Sequence, residues 1–151
     1  MRTRQWYKNN SYGNWNYVFR FKDPSKADIA AAAMKQTCAN NKIGYENRNK
    51  TKSMSFTYEL RKVDWDPSKV NNKCGTACSQ CVLTMVQVSG LHRNSKDYPY
   101  KNASSGAKAL KSDSNFMVFT DSSYTKDYKK LRRGDILVDT SGNRHMIMVV
   151  S

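Results

Sequence analysis

A chain of 151 residues, 38% hydrophobic and 11% aromatic, carries enough apolar material for one domain of ordinary size. That composition excludes a disordered segment, and no run approaches the roughly 18 to 20 apolar residues of a membrane helix. The 26 Lys and Arg against 12 Asp and Glu give a net charge of +14. Such a surface concentrates on polyanions: nucleic acid, anionic lipid, or the phosphate-rich polymers of a bacterial wall. The charge does not choose among them, and a solvated basic surface with no dedicated partner is the plain alternative.

The chain starts Met-Arg-Thr-Arg-Gln-Trp-Tyr-Lys, charged but with no apolar region behind it. It is not a Sec signal peptide, so synthesis in a cytoplasm is expected. In that compartment Cys38, Cys74, Cys78 and Cys81 are reduced thiols rather than a disulfide framework. Residues 1–22 hold Trp6, Tyr7, Tyr12, Trp15, Tyr17, Phe19 and Phe21, and from Trp15 to Phe21 the aromatics alternate with Asn16, Val18 and Arg20 as in a half-buried strand. They are expected to form an aromatic, basic extension packed on a domain of residues 23–151. Stacking on bases or sugars is the competing use of the same side chains.

Asp23-Pro24 is a helix start, with Asp as the cap and Pro at the first helical position. Ala30, Ala33, Met34, Thr37 and Cys38 follow at helical spacing, and the helix is expected to end near Asn40. Cys38 reads as a small buried hydrophobe. Residues 40–48 are rich in turn formers, with Tyr45 directly after Gly44. Met54, Phe56, Tyr58 and Leu60 alternate with other residues as in a short strand or ordered loop. Trp65-Asp66-Pro67 is a turn.

The next stretch, Lys73-Cys-Gly-Thr-Ala-Cys-Ser-Gln-Cys-Val-Leu-Thr-Met-Val-Gln-Val-Ser-Gly90, crowds three cysteines at the front of an apolar run. It admits a metal or cluster site, a disulfide pair, or one reactive thiol with two buried neighbours. Read as a helix from Cys78 to Ser89, it sets Cys78, Cys81, Val82, Met85, Val86 and Ser89 on one face. Gly90 then supplies the left-handed residue past the end. A thiol opening that helix meets unpaired N–H groups and the positive end of the dipole, which favour thiolate. Alternating Val82, Thr84, Val86 and Val88 also fit a buried strand; the helix is the reading adopted.

Residues 91–106, with His92 and Pro99, read as a long polar surface loop. A short helix over residues 104–111 and a strand over residues 116–120 come next. Leu131-Arg132-Arg133-Gly134-Asp135 turns into the apolar Ile136-Leu137-Val138, Thr140-Ser141-Gly142-Asn143 is a hairpin loop, and His145 opens the apolar strand that runs to Val150.

Several of these elements stand in an order that resembles the NlpC-type cysteine peptidases of bacterial and phage cell-wall hydrolases, relatives of the CHAP amidases. The residues that carry the resemblance are Ile43-Gly44-Tyr45, then Ala77-Cys78-Ser79-Gln80 opening a helix, then Gly134-Asp135-Ile136-Leu137, then His145 to Val150. With the alanine-rich helix ahead, the pattern resembles small phage lysins in particular. The resemblance implies an α+β, papain-like fold: an antiparallel sheet packed against an N-terminal group of helices, with the nucleophile at a helix N-terminus. It implies a peptidoglycan endopeptidase or amidase in which Cys78 attacks an amide carbonyl and His145 carries the proton. Tyr45 and the Cys78 backbone N–H would lie near the oxyanion. No metal or other cofactor is implied. The implied partners are bacterial peptidoglycan and anionic wall polymers, with action at the cell wall, no membrane span, and nucleic acid not expected.

Two departures stand out. Ala77 replaces the usual Asp before the nucleophile. The third polar residue that orients the histidine normally follows it by about a dozen residues, whereas this chain ends at Ser151. Truncation at the C-terminus is the expected explanation; substitution by Asp139 or Asn143, or an unoriented histidine, are the alternatives. The rival readings are a [4Fe–4S] cluster on Cys74-x3-Cys78-x2-Cys81, a zinc site adding His92 or Cys38, and a basic nucleic-acid-binding module without catalysis.

Overall fold

A computed structural model describes residues 14–45, 55–142 and 144–151. The readings made on Trp6, Tyr7, Tyr12, Met54 and Asn143 lie outside the described residues. The described residues form six strands and five α-helices, in the order β1 (Tyr17–Phe21), α1 (Pro24–Ala39), β2 (Ile43–Tyr45), α2 (Phe56–Lys62), β3 (Cys74–Thr76), α3 (Cys78–Val88), α4 (Ala103–Lys111), β4 (Phe116–Phe119), α5 (Ser122–Thr125), β5 (Ile136–Asp139) and β6 (His145–Met148). The result is a mixed α and β fold. Its main sheet is four-stranded and antiparallel, in the order β4-β1-β5-β6. A separate two-stranded parallel pair joins β2 to β3.

Local chemistry sets α1 as expected. The Asp23 carboxylate accepts a 2.9 Å hydrogen bond from the Ser25 N–H, Pro24 follows the cap, and Asn40 closes the helix. Its buried face is small, Ala27, Ala30, Ala31, Ala33, Met34 and Thr37, and so lets neighbours approach closely. Gly134 uses that space: a Cβ there would stand 2.6 Å from Ala27 Cβ, and its φ of +89° favours glycine independently.

The strand expected near the N-terminus is present as Tyr17–Phe21, an interior strand of the main sheet hydrogen-bonded to β4 on one edge and β5 on the other. Other elements differ from the sequence expectation. Phe56 and Leu60 belong to a helix, because Phe56, Thr57 and Leu60 are buried at helical spacing while Tyr58 is exposed. Ile43-Gly44-Tyr45, read as part of a turn-rich segment, is a short strand whose partner β3 leads into the Cys78 helix. The loop after Gly90 is pinned rather than free. Gln87 Nε2 donates to the His92 and Ser95 carbonyls, Arg93 caps the Gln87 and Val88 carbonyls, and Tyr98 and Pro99 are buried.

The largest correction concerns α3. Instead of one core face it is buried all round from Ser79 to Val88, enclosed by α1, α2, α4, β6 and the Tyr98–Tyr100 turn. Its polar side chains are therefore satisfied internally. Thr76 Oγ1 donates to Gln80 Oε1 at 2.9 Å, Gln80 Nε2 donates to Thr57 Oγ1 at 3.0 Å, and Thr57 and Thr84 hydroxyls meet at 2.8 Å. All four side chains are fully buried, so the network ties α2, β3 and α3 together at the end where Cys78 stands.

The principal core lies between the sheet and the helices, built on Phe19, Phe21, Leu60, Leu83, Met85, Leu110, Ile136, Val138 and Met146 among others. The opposite sheet face carries a smaller cluster on Trp15, Val18 and Leu137. Arg20 and Asp135 pair under it at 2.8 and 2.7 Å, and the same guanidinium also donates to the Lys130 carbonyl. Asp135 in turn accepts from the Arg132 N–H, so the Arg-Gly-Asp turn is held by a buried ion pair.

Candidate active site

Cys78 is the first residue of α3, entered from β3 through the extended Ala77, whose side chain makes no cap. The first-turn N–H groups thus have no side chain competing for them. His145 is the first residue of β6, the edge strand of the main sheet. Helix N-terminus and sheet edge meet so that the Cys78 thiol and the His145 imidazole are hydrogen-bonded, both half-buried.

Burial pushes the Cys78 thiol up, yet the balance falls the other way. The hydrogen bond from His145, the imidazolium charge and two backbone N–H groups, of Met146 and Ser79, together hold the thiol below its ordinary value. Sequence reading anticipated the helix terminus and the histidine. It missed the Met146 N–H, because only the edge position of β6 leaves such a donor turned away from the sheet.

The other thiols differ in kind. Burial raises Cys81 strongly, helped by the charges of Cys38 and Cys78, and burial raises Cys38 as well. Cys74 is buried in β3 opposite Ile43. His92 lies past the far end of α3, an 11-residue helix about 16 Å long that Cys78 opens, and contacts Asp113 at 2.6 Å. Among the described residues no three His, Cys, Asp or Glu side chains gather as metal ligands would. The cluster and zinc geometries suggested by the cysteine spacing are not formed.

Asp139 stands directly opposite His145 in the β5–β6 register, which sends both side chains to one face of the ladder. It is fully buried, and its Oδ1 accepts from the Ser141 and Gly142 N–H groups at 2.9 Å each, fixing the hairpin. The second orienting candidate, Asn143, lies outside the described residues. Trp15, two residues before β1, sets its ring 6.0 Å from that of His145; the aromatic alternation signalled its burial but not this neighbour. Tyr45 pairs in register with Thr76, two residues before Cys78, and is 56% exposed.

The fold and site together define a mixed α and β protein with a thiol and an imidazole joined at a helix N-terminus. Over residues 1–151 the chain matches the model of the endolysin-like domain, and it belongs to that family. This membership points to a phage lytic enzyme that hydrolyses bacterial peptidoglycan. No curated protein and no solved structure matches the chain significantly. No helix among the described residues is long and apolar enough to cross a membrane.

Proposed function

We propose that this endolysin-like chain is a cysteine peptidase or amidase of the NlpC type, with a papain-like arrangement of helix and sheet, that cuts amide bonds of peptidoglycan. The observation that carries the reading is the Cys78 thiol held at the start of α3 against the His145 ring, with its acidity increased. In this mechanism the Cys78 thiolate attacks the amide carbonyl. His145, having taken the thiol proton, returns it to the leaving amine, and water then cleaves the acyl-enzyme.

The developing oxyanion is stabilised by backbone N–H at the helix start and by the Tyr45 hydroxyl. Asp139, opposite His145 in the ladder, orients the imidazole. The net charge of +14 holds the enzyme on anionic wall polymers.

The test is turbidity clearing of purified Gram-positive walls by the wild type and by Cys78→Ala, with mass spectrometry of the released fragments. Clearing by the wild type alone is expected, and the new amino termini or lactyl ends identify the bond. Equal clearing by Cys78→Ala contradicts the proposal.

A further inference from the structure

Cys78 has a neighbour that the hydrolytic mechanism does not use. Cys81 lies one turn further along α3 on the same face, 3% exposed, and its N–H closes the first turn on the Ala77 carbonyl at 2.9 Å. The pair reads Cys78-Ser79-Gln80-Cys81, with the outer thiol half-buried at the helix start and the inner one sealed in the core. Cβ atoms at this spacing stand about 5 to 6 Å apart in a regular helix. A disulfide needs roughly 3.5 to 4.5 Å, so the first turn must tighten by about 1 Å. The end of a helix allows that, because the Cys78 N–H has no intrahelical partner.

Cys74 is held in the β2–β3 ladder opposite Ile43. Cys38 packs from α1 against the same core and is close enough to raise Cys81, but burial raises its own thiol, whereas Cys78 is lowered and is the one that peroxide oxidises first. Cys81 packs its sulfur 3.7 Å from Met34 Sδ, in surroundings that keep it a protonated, unreactive thiol until an electrophilic sulfur appears beside it.

We propose that Cys78 and Cys81 form a reversible disulfide under peroxide, which switches the site off and shields its nucleophile from irreversible oxidation. This rests on the reading of Cys78 as the nucleophile. In the first step the Cys78 thiolate attacks hydrogen peroxide, the O–O bond breaks, and the departing hydroxide takes the imidazolium proton of His145 to become water. Sulfur is oxidised to sulfenic acid and peroxide is reduced. In the second step the Cys81 sulfur attacks that of Cys78, the S–O bond breaks, and the hydroxyl leaves with the Cys81 proton as a second water. A dithiol reductant reverses the bond by exchange.

The experiment treats the full chain with hydrogen peroxide, then with dithiothreitol, and follows wall clearing, free-thiol count and the mass of the peptide spanning residues 74–93. The expected result is loss of clearing with loss of two hydrogens from that peptide, two thiols gone, and full recovery on reduction. Cys81→Ala and Cys81→Ser, checked for native circular dichroism, are expected to clear walls when reduced. After peroxide they gain oxygen at Cys78 as sulfinate and stay inactive in dithiothreitol.

Reversible protection that persists in both Cys81 variants overturns the proposal, as does a disulfide linking Cys38 to the 74–93 peptide. Clearing by the wild type with no disulfide at any peroxide level defeats this inference and leaves the hydrolase standing. A Cys78–Cys81 disulfide in a reduced protein that never clears walls defeats the switch by removing the activity it controls.

Discussion

Single residues fix the site from a distance. Gly134 illustrates this, since the turn that leads into β5 passes against α1 with no room for a side chain. Gly134→Ala is expected to lower stability by about 2 kcal/mol or more, from the clash with Ala27 and the positive φ together. Urea denaturation read by circular dichroism checks it; a change under about 0.5 kcal/mol would show that the turn relaxes freely. Cys78, His145 and Gly134 were each visible in the sequence because each belongs to a short local pattern. Trp15 and the Met146 N–H were not, because their contact with the site depends on strands far apart in the chain meeting in one sheet.

At the scale of elements, the alanine-rich helix and the β5–β6 hairpin were legible from caps and turn residues, which act over a few positions. Helix α2 was misread because Phe56, Tyr58 and Leu60 alternate by accident, and exposure of Tyr58 breaks the pattern. The enclosure of α3 was hidden for a different reason. Thr84, Gln80 and Gln87 look like a polar face until partners on α2, β3 and the Tyr98 loop supply their hydrogen bonds. Thr57 is the hub of that network, and Thr57→Val deletes its bonds to both Gln80 and Thr84 at nearly constant volume. The expected cost is about 1 to 3 kcal/mol, with a lowered Tm. An unchanged Tm would mean that α2 is held by Phe56 and Leu60 alone.

Across the whole molecule, the main sheet brings β1 from the N-terminal part between β4 and β5 from the C-terminal half, so long-range pairs decide its integrity. Arg20 and Asp135 join β1 to the turn that leads into β5 in a buried ion pair. Burial opposes the charge of Arg20, but the hydrogen bond and charge of Asp135 prevail and hold the guanidinium above its ordinary value. Asp135→Ala leaves that cation buried and is expected to cost about 3 to 5 kcal/mol, whereas Arg20→Met with Asp135→Leu is expected to recover much of it. Denaturation midpoints of the wild type and the two variants test this, and equal midpoints for single and double variants would contradict it.

The assembly of helix and sheet also accounts for the lowered thiol, because both contribute to it: α3 through the Ser79 N–H, β6 through the His145 ring and the Met146 N–H. A thiol whose folded pKa lies below its unfolded value adds stability above the unfolded value and loses it as pH falls through the folded one. Its reactivity follows the same window, persisting below the usual thiol range of about 8.5. The measurement that tests the account most directly is the rate of iodoacetamide labelling at each of the four cysteines against pH, in the native protein, in His145→Ala and in urea. Cys78 is expected to label fastest in the native protein with its midpoint below that range, the midpoint to shift upward in His145→Ala, and the four cysteines to be similar in urea. Equal labelling of all four in the native protein would contradict it.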